Sequence, residues 1–195
     1  MPKVSDAHRE SRRDQILDAA LRCFTAQGFQ ATTMADIIEA SGLSAGAIYG
    51  YFAGKQELAV EAARRAIAGR VGDVDAVAAR GPVSPAAVFR AIAEGFERDR
   101  IAFGLVVQLW GEAASNPGFR SVATSAFGDL AATFTTQFAA WARAERGMTE
   151  AEADEWARQM LPVLLSLGQG LILQSALMPA FDRDAYLAAV ARVLG

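Results

Sequence analysis

Apolar residues recur along almost the whole chain at the three- and four-residue spacing of a single helix face, which leaves no convincing strand. A first helix is expected over about 8–27, burying Ile16, Leu17, Ala20, Leu21 and Phe24 and stopping at Gly28. A second opens at Thr33, where Thr33 and Asp36 have the spacing of a capping box. Ser41-Gly42-Leu43 reads as a tight turn, and Ser44 as the cap of a short third helix over 45–52. A fourth begins near Gly54. Gly69, Gly72, Gly81 and Pro82 dilute the pattern over 69–84, which reads as a joint that helix four either enters or stops before. Ser84-Pro85 opens a fifth helix, a sixth ends before Asn116-Pro117, and a long seventh follows. Thr149 and Glu152 form a second capping box; the helix they open should kink at Pro162, and Asp182 caps a terminal one. The expectation is an all-α fold of about nine helices.

Length and composition set the outer limits. The 195 residues suffice for a real core, and 52% hydrophobic with 21% charged residues is ordinary for a globular chain. The division expected from the pattern is an N-terminal arm and three-helix domain over 1–55, a connecting helix four and joint over 56–84, and a C-terminal domain over 85–195. One cysteine, Cys23, rules out an intrachain disulfide and reads as core or boundary packing or, if exposed and activated, a redox sensor. The N-terminus lacks the apolar stretch of a signal peptide, and Leu161–Leu173 is too short to span a bilayer. A cytoplasmic protein without membrane contact is expected. With one histidine, one cysteine and no glycine-rich phosphate loop, no catalytic grouping is recognisable, so no enzyme, metal or cofactor is expected.

Net charge is −3, so global charge does not advertise a polyanionic partner. Locally, Lys3, Arg9, Arg12 and Arg13, with His8 among them and Asp6 and Glu10 against them, read as a basic arm or equally as a frayed solvated terminus. The stronger signal is the helix, glycine turn and second helix over 33–52, the arrangement that places a recognition helix in a DNA major groove. Gly42 permits the positive φ of the turn. Leu43, Ile48 and Phe52 would face inward against Ile37, Ile38 and helix one. The outward face then carries Ser44, Ala45, Gly46, Ala47, Tyr49, Gly50 and Tyr51, mostly small residues with two hydroxyls suited to phosphates. Lys55 follows at the start of helix four, where its charge and the helix N-terminus both favour a phosphate.

Gly28-Phe29, Ala31-Thr32-Thr33-Met34 and Asp36-Ile37, followed by Gly42-Leu43-Ser44, Gly46, Ile48-Tyr49, Tyr51-Phe52, Lys55 and Leu58, resemble the N-terminal signature of the TetR/AcrR regulators. The resemblance covers about residues 10–60. It implies a three-helix DNA-binding domain braced by helix four and a C-terminal helical domain for ligand binding and dimerisation. It further implies phosphate contacts from Thr33, Tyr49, Tyr51 and Lys55, and groove contacts from Ser44, Ala45, Gly46 and Ala47. At Ala45 and Gly50 this chain lacks the basic or polar residues many relatives carry, so DNA shape and the arginine arm are expected to supplement base contacts.

Aromatic residues crowd 89–156, and polar groups interrupt the apolar helices that carry them. Phe103, Trp110, Phe134, Gln137, Phe138 and Gln169 form a candidate pocket for a small, largely apolar effector; the same stripes also read as plain core, and Gln169 as facing a partner or solvent. Late helices are apolar around much of their circumference. Leu167, Gly170, Leu171, Gln174, Tyr186 and Val190 are the candidate homodimer interface, a four-helix bundle shared by two copies, with packing in the chain's own core as the alternative. The function expected is a dimeric repressor leaving a palindromic operator in double-stranded DNA when the effector binds. The competing classes are a helical protein-interaction adaptor without DNA binding and, behind it, a small-molecule enzyme.

Overall fold

The computed structural model describes residues 6–195, the side chains of Asp6, Val122 and Ala126 excepted; Lys3 of the basic arm lies outside them. Among the described residues there are nine α-helices and no strand: α1 (Asp6–Gln27), α2 (Met34–Ser41), α3 (Ala45–Tyr49), α4 (Lys55–Ala78), α5 (Pro85–Arg98), α6 (Phe103–Ser115), α7 (Pro117–Arg146), α8 (Glu150–Leu177) and α9 (Arg183–Leu194). The described residues pack as two compact units, residues 6–65 with 108–123, and residues 66–107 with 124–195. Residues 108–123, assigned to the C-terminal domain from the sequence pattern, thus pack with the N-terminal helices.

Helix starts follow local chemistry. Thr33 and Asp36 close a reciprocal capping box on α2, and Thr149 and Glu152 do the same for α8. Ser44, Ser84 and Asp182 each accept a backbone N–H of the first turn of α3, α5 and α9. These contacts satisfy donors that a helix leaves unpaired. One element differs from the pattern, and an alternative left open for another is decided. α3 ends at Tyr49 instead of 52, and the chain leaves it through turns in which the Tyr51 and Phe52 amides both donate to Ile48 O. α4 runs on to Ala78 through Gly69 and Gly72. α8 continues from Glu150 to Leu177 with Pro162 inside it.

In the first unit Ile16, Leu17, Phe24, Phe29, Ile37, Ile48, Phe52 and Leu58 are buried, which seats α2, α3 and the start of α4 on α1. In the second, the core joins Val74 of α4, Val88 and Phe89 of α5, Phe134 and Phe138 of α7, Leu164 and Leu171 of α8, and Val190 and Leu194 of α9.

The persistence of α4 has a tertiary cause. Arg70, only 1% exposed, places its Nε 2.8 Å from Asp73 Oδ2, while its Nη2 donates to the Asp99 carboxylate. Arg98 reaches Asp73 Oδ1 at 2.7 Å and Asp99 Oδ1 at 3.2 Å, and the Arg70 guanidinium lies 4.8 Å from the Phe96 ring centroid. Burial opposes ionisation of Asp99, but the Arg70 hydrogen bond and the charges of Arg70 and Arg98 hold its pKa below the ordinary value. The network binds α4 to the end of α5, and it fits only because residue 95 is glycine: a Cβ there would lie 1.9 Å from Asp73 Oδ2 and 2.9 Å from Arg70 Cζ. Gly95→Ala should therefore lower unfolding free energy by about 1–3 kcal/mol, the usual range for overpacking, as read by urea unfolding of the two proteins.

Candidate nucleic-acid interface

The reading head is built from the turn outward. Gly42 adopts φ +68°, the left-handed conformation the turn requires, and its N–H donates to Glu39 O at 3.2 Å. Side chains from α1 finish the α2 C-terminus: Gln15 Nε2 donates to Ser41 O at 2.8 Å and Arg22 Nη2 to Ala40 O at 3.0 Å. Nothing local in the sequence points to these two bonds, because their partners are 26 and 18 residues apart.

With Ile48 and Phe52 buried beneath it and Leu43 half-buried, α3 presents a small outer face. Ser44, Ala45, Gly46 and Gly50 are exposed, Ala47 is half-buried, and Tyr49 projects with 52% of its surface free. Tyr51 is half-buried, so Tyr49 is the more available hydroxyl. A Cβ at Gly46 would meet nothing within 4 Å, so the bare backbone there is open to close approach.

Two expected phosphate anchors are already engaged within the domain. The Thr33 hydroxyl accepts from Asp36 N and donates to Asp36 Oδ2 at 2.8 Å. Lys55 Nζ donates to Phe29 O at 2.9 Å and Gln30 O at 3.1 Å and stands 4.7 Å from the Phe29 ring centroid. An ammonium has three donors, so one remains for a phosphate. The arm also differs from expectation: Arg9, Arg12 and Arg13 belong to α1, and Arg13 is tied to Glu61 at 3.2 Å and lies 4.8 Å from the Phe52 ring centroid. These arginines are fixed on a helix, which does not suit them to a free arm in a minor groove.

Cys23 is half-buried, with Sγ 3.7 Å from Asp36 O. Burial, then the Asp36 charge, raises its pKa, keeping the thiol protonated at neutral pH and opposing the redox-sensor reading.

The C-terminal candidates scatter. Phe134 and Phe138 are stacked 6.0 Å apart inside the second unit's core, Phe138 against Trp156 as well. Phe103 is buried beneath the Arg183 guanidinium, Gln137 is half-buried and Gln169 exposed. Trp110, half-buried, falls in the first unit. Of the dimer candidates, Leu171 and Val190 are buried in this chain's own core, and Gly170 serves an internal contact. Tyr186 Oη donates to Leu167 O at 2.8 Å and lies where a Cβ on Gly170 would come within 3.0 Å. The apolar side chains that α8, its end and α9 expose are instead Val163, Leu173, Leu177, Met178 and Val193. By length and hydropathy α8 would also suffice to cross a bilayer, and only 17% of its most apolar window is buried within this chain.

Comparison with known proteins bears on the reading head first. Residues 16–62 match the family model described as bacterial regulatory proteins, tetR family. The chain is 44% identical over 57 residues to the uncharacterized HTH-type transcriptional regulator YfiR of Bacillus subtilis, covering 29% of this chain and 28% of that one. It is 40% identical over 63 residues to the HTH-type transcriptional repressor AcnR of Corynebacterium jeikeium, covering 32% and 33%. The matched stretch thus spans about a third or less of these relatives. Among solved structures, the transcriptional regulator FadR of Bacillus subtilis, in complex with stearoyl-CoA, aligns with TM-score 0.71 over 93% of this chain and 96% of its own at 15% identity. GusR of Salmonella enterica aligns with TM-score 0.65 over 99% and 97% at 22% identity. At these identities the likeness establishes a shared fold.

The capping box predicts a pH signature. Hydrogen bonds from the Thr33 backbone N–H, then its hydroxyl, lower the Asp36 pKa from its ordinary 3.8. A carboxylate depressed in the folded state stabilises above its unfolded pKa, and that stability disappears as pH falls through the folded value. Asp36→Asn should lower the melting temperature at pH 7, and the gap from the parent should close below pH 3.8 in melts across a pH series.

Proposed function

We propose, from the premise that the N-terminal domain belongs to the tetR family of bacterial regulatory proteins, that this chain is a cytoplasmic, DNA-binding transcriptional repressor and not an enzyme. The observation that carries the reading is the α2–turn–α3 geometry, with a buried Ile48 and Phe52 holding an exposed face of Ser44, Ala45, Gly46 and Tyr49. Tyr49, Tyr51 and the remaining donor of Lys55 meet phosphates, while the backbone at Gly46 comes close to the groove floor. Thr33, whose N–H and hydroxyl both donate to Asp36, caps α2 and holds the head in shape. Phosphate contacts supply most of the affinity and position the head, and DNA shape supplies part of the specificity.

A second copy completes the regulator. Leu173 and Leu177 of α8, Met178 just after it and Val193 of α9 leave apolar side chains exposed, and such surfaces of two copies meet around a twofold axis. The dimer sets its two α3 helices about one duplex turn apart, roughly 34–36 Å, and reads a palindrome. A small, largely apolar effector binds among the helices of 85–195, with Phe103, Trp110 and Gln137 as candidate contacts, and favours a spacing that DNA does not match. That FadR holds stearoyl-CoA supports an apolar effector class. The effector acts only by its unequal affinity for the two spacings.

The experiment that tests the reading is enrichment of duplexes from a random pool by the full-length protein, followed by affinity measurements across salt. Log affinity should fall linearly with log salt; enrichment of no duplex at low salt would refute it. Tyr49→Ala should weaken binding by about three- to tenfold, the range for one lost hydrogen bond, with sedimentation of the dimer unchanged. Leu173→Glu combined with Leu177→Glu should yield monomers in analytical ultracentrifugation, and with them a loss of the bivalent grip.

A further inference from the structure

The loop between α1 and α2, residues 28–33, contributes no base contact to the proposed interface, yet side chains from α4 and α6 tie it from two sides. From one side Lys55 takes the carbonyls of Phe29 and Gln30. From the other, Gln108 of α6 accepts from the Phe29 N–H at 2.8 Å, and Glu112, one turn later, accepts from Gln30 Nε2. Phe29 is buried with its ring edge-on to Phe24 at 5.5 Å and to Phe119 of α7 at 6.4 Å. Gly28 makes room for the Gln108 amide: it holds φ +84°, and a Cβ there would come within 3.0 Å of Gln108 Oε1.

The loop bears on the phosphate grip through Lys55 of α4. Thr33 closes it, and the Lys55 ammonium takes its position from the Phe29 and Gln30 carbonyls. We infer that Gln108 and Glu112 are positioning residues for DNA binding: from α6 they hold the 28–33 loop, and through its Phe29 and Gln30 carbonyls the Lys55 ammonium, where a phosphate is met. The inference rests on the DNA-binding reading. An N–H···O bond weakens within a few tenths of an ångström of its optimum, so a shift of α6 is registered at the loop directly, without passing through α4.

The test uses the full chain and the duplex it enriches from a random pool. Gln108→Leu keeps the bulk and removes the acceptor; Gln108→Glu keeps an acceptor oxygen at the same reach. The Leu variant should bind about three- to tenfold more weakly, with the slope of log affinity against log salt reduced by about one contact. Amide exchange at Phe29 should accelerate, and the Glu variant should stay within about twofold of the parent on all readouts. A merely structural role would lower the active fraction or melting temperature while leaving the salt slope of the folded molecules unchanged. Faster exchange at Phe29 with unaltered affinity and slope would therefore overturn the inference and leave the proposed function standing. Should the Leu variant fail to fold, Glu112→Leu repeats the test at the second tie, with the same two outcomes. Failure of the parent chain to enrich any duplex overturns both the inference and the reading beneath it.

Discussion

The Lys55 ammonium under the α1–α2 loop is the tie on which the reading head depends. Between Gly28, whose N–H still donates to Phe24 O of α1, and Thr33, whose carbonyl accepts from Ile37 of α2, the backbone lies outside both helices and its carbonyls need other donors. Lys55 covers two such carbonyls and stacks its charge on the Phe29 ring, while Thr32 Oγ1 donates to Gly28 O and the Asp36 carboxylate takes the Thr33 N–H. The start of α4, the end of α1 and the start of α2 are thereby joined through one side chain. A residue that sequence reasoning assigns to phosphate binding is, in the folded chain, first a structural member.

The second unit relies on a different device. Arg70 is almost wholly buried, and removing either carboxylate beside it would leave a charge without compensation in a dry environment. Asp73, Asp99 and Arg98 surround it so that charge balances locally, and Gly95 supplies the space. Such a network adds little net stability over a hydrophobic core of the same volume, but it admits one arrangement of α4 against the end of α5. A fixed α4 matters here because its first turns belong to the reading head and its last to the second unit.

The candidate residues fared according to how local their physics is. Caps, turns and buried stripes were legible: Thr33, Ser44, Ser84, Thr149 and Asp182 all cap the helices their spacing implied. The late apolar residues were legible as a class but not by face. Leu171 and Val190 turned inward, and Gly170 received Tyr186 of its own chain. Periodicity counts apolar positions on a helix, and a helix apolar on most sides gives no rule for which side its own core takes. The aromatic cluster likewise could not be divided from sequence, since Phe134 and Phe138 carry the same pattern whether they line a cavity or fill one.

By itself the sequence determined the all-α fold, the helix starts and the turn at Gly42, because these rest on contacts within a few residues and on the 3.6-residue period. Only the tertiary structure decided that α4 runs to Ala78, that Arg9, Arg12 and Arg13 sit on α1, and that Gln108 and Glu112 reach Phe29 and Gln30 across about 80 residues of chain. Side-chain bonds of that kind are specified by where the packed helices bring the chain, and spacing along the sequence carries no record of it.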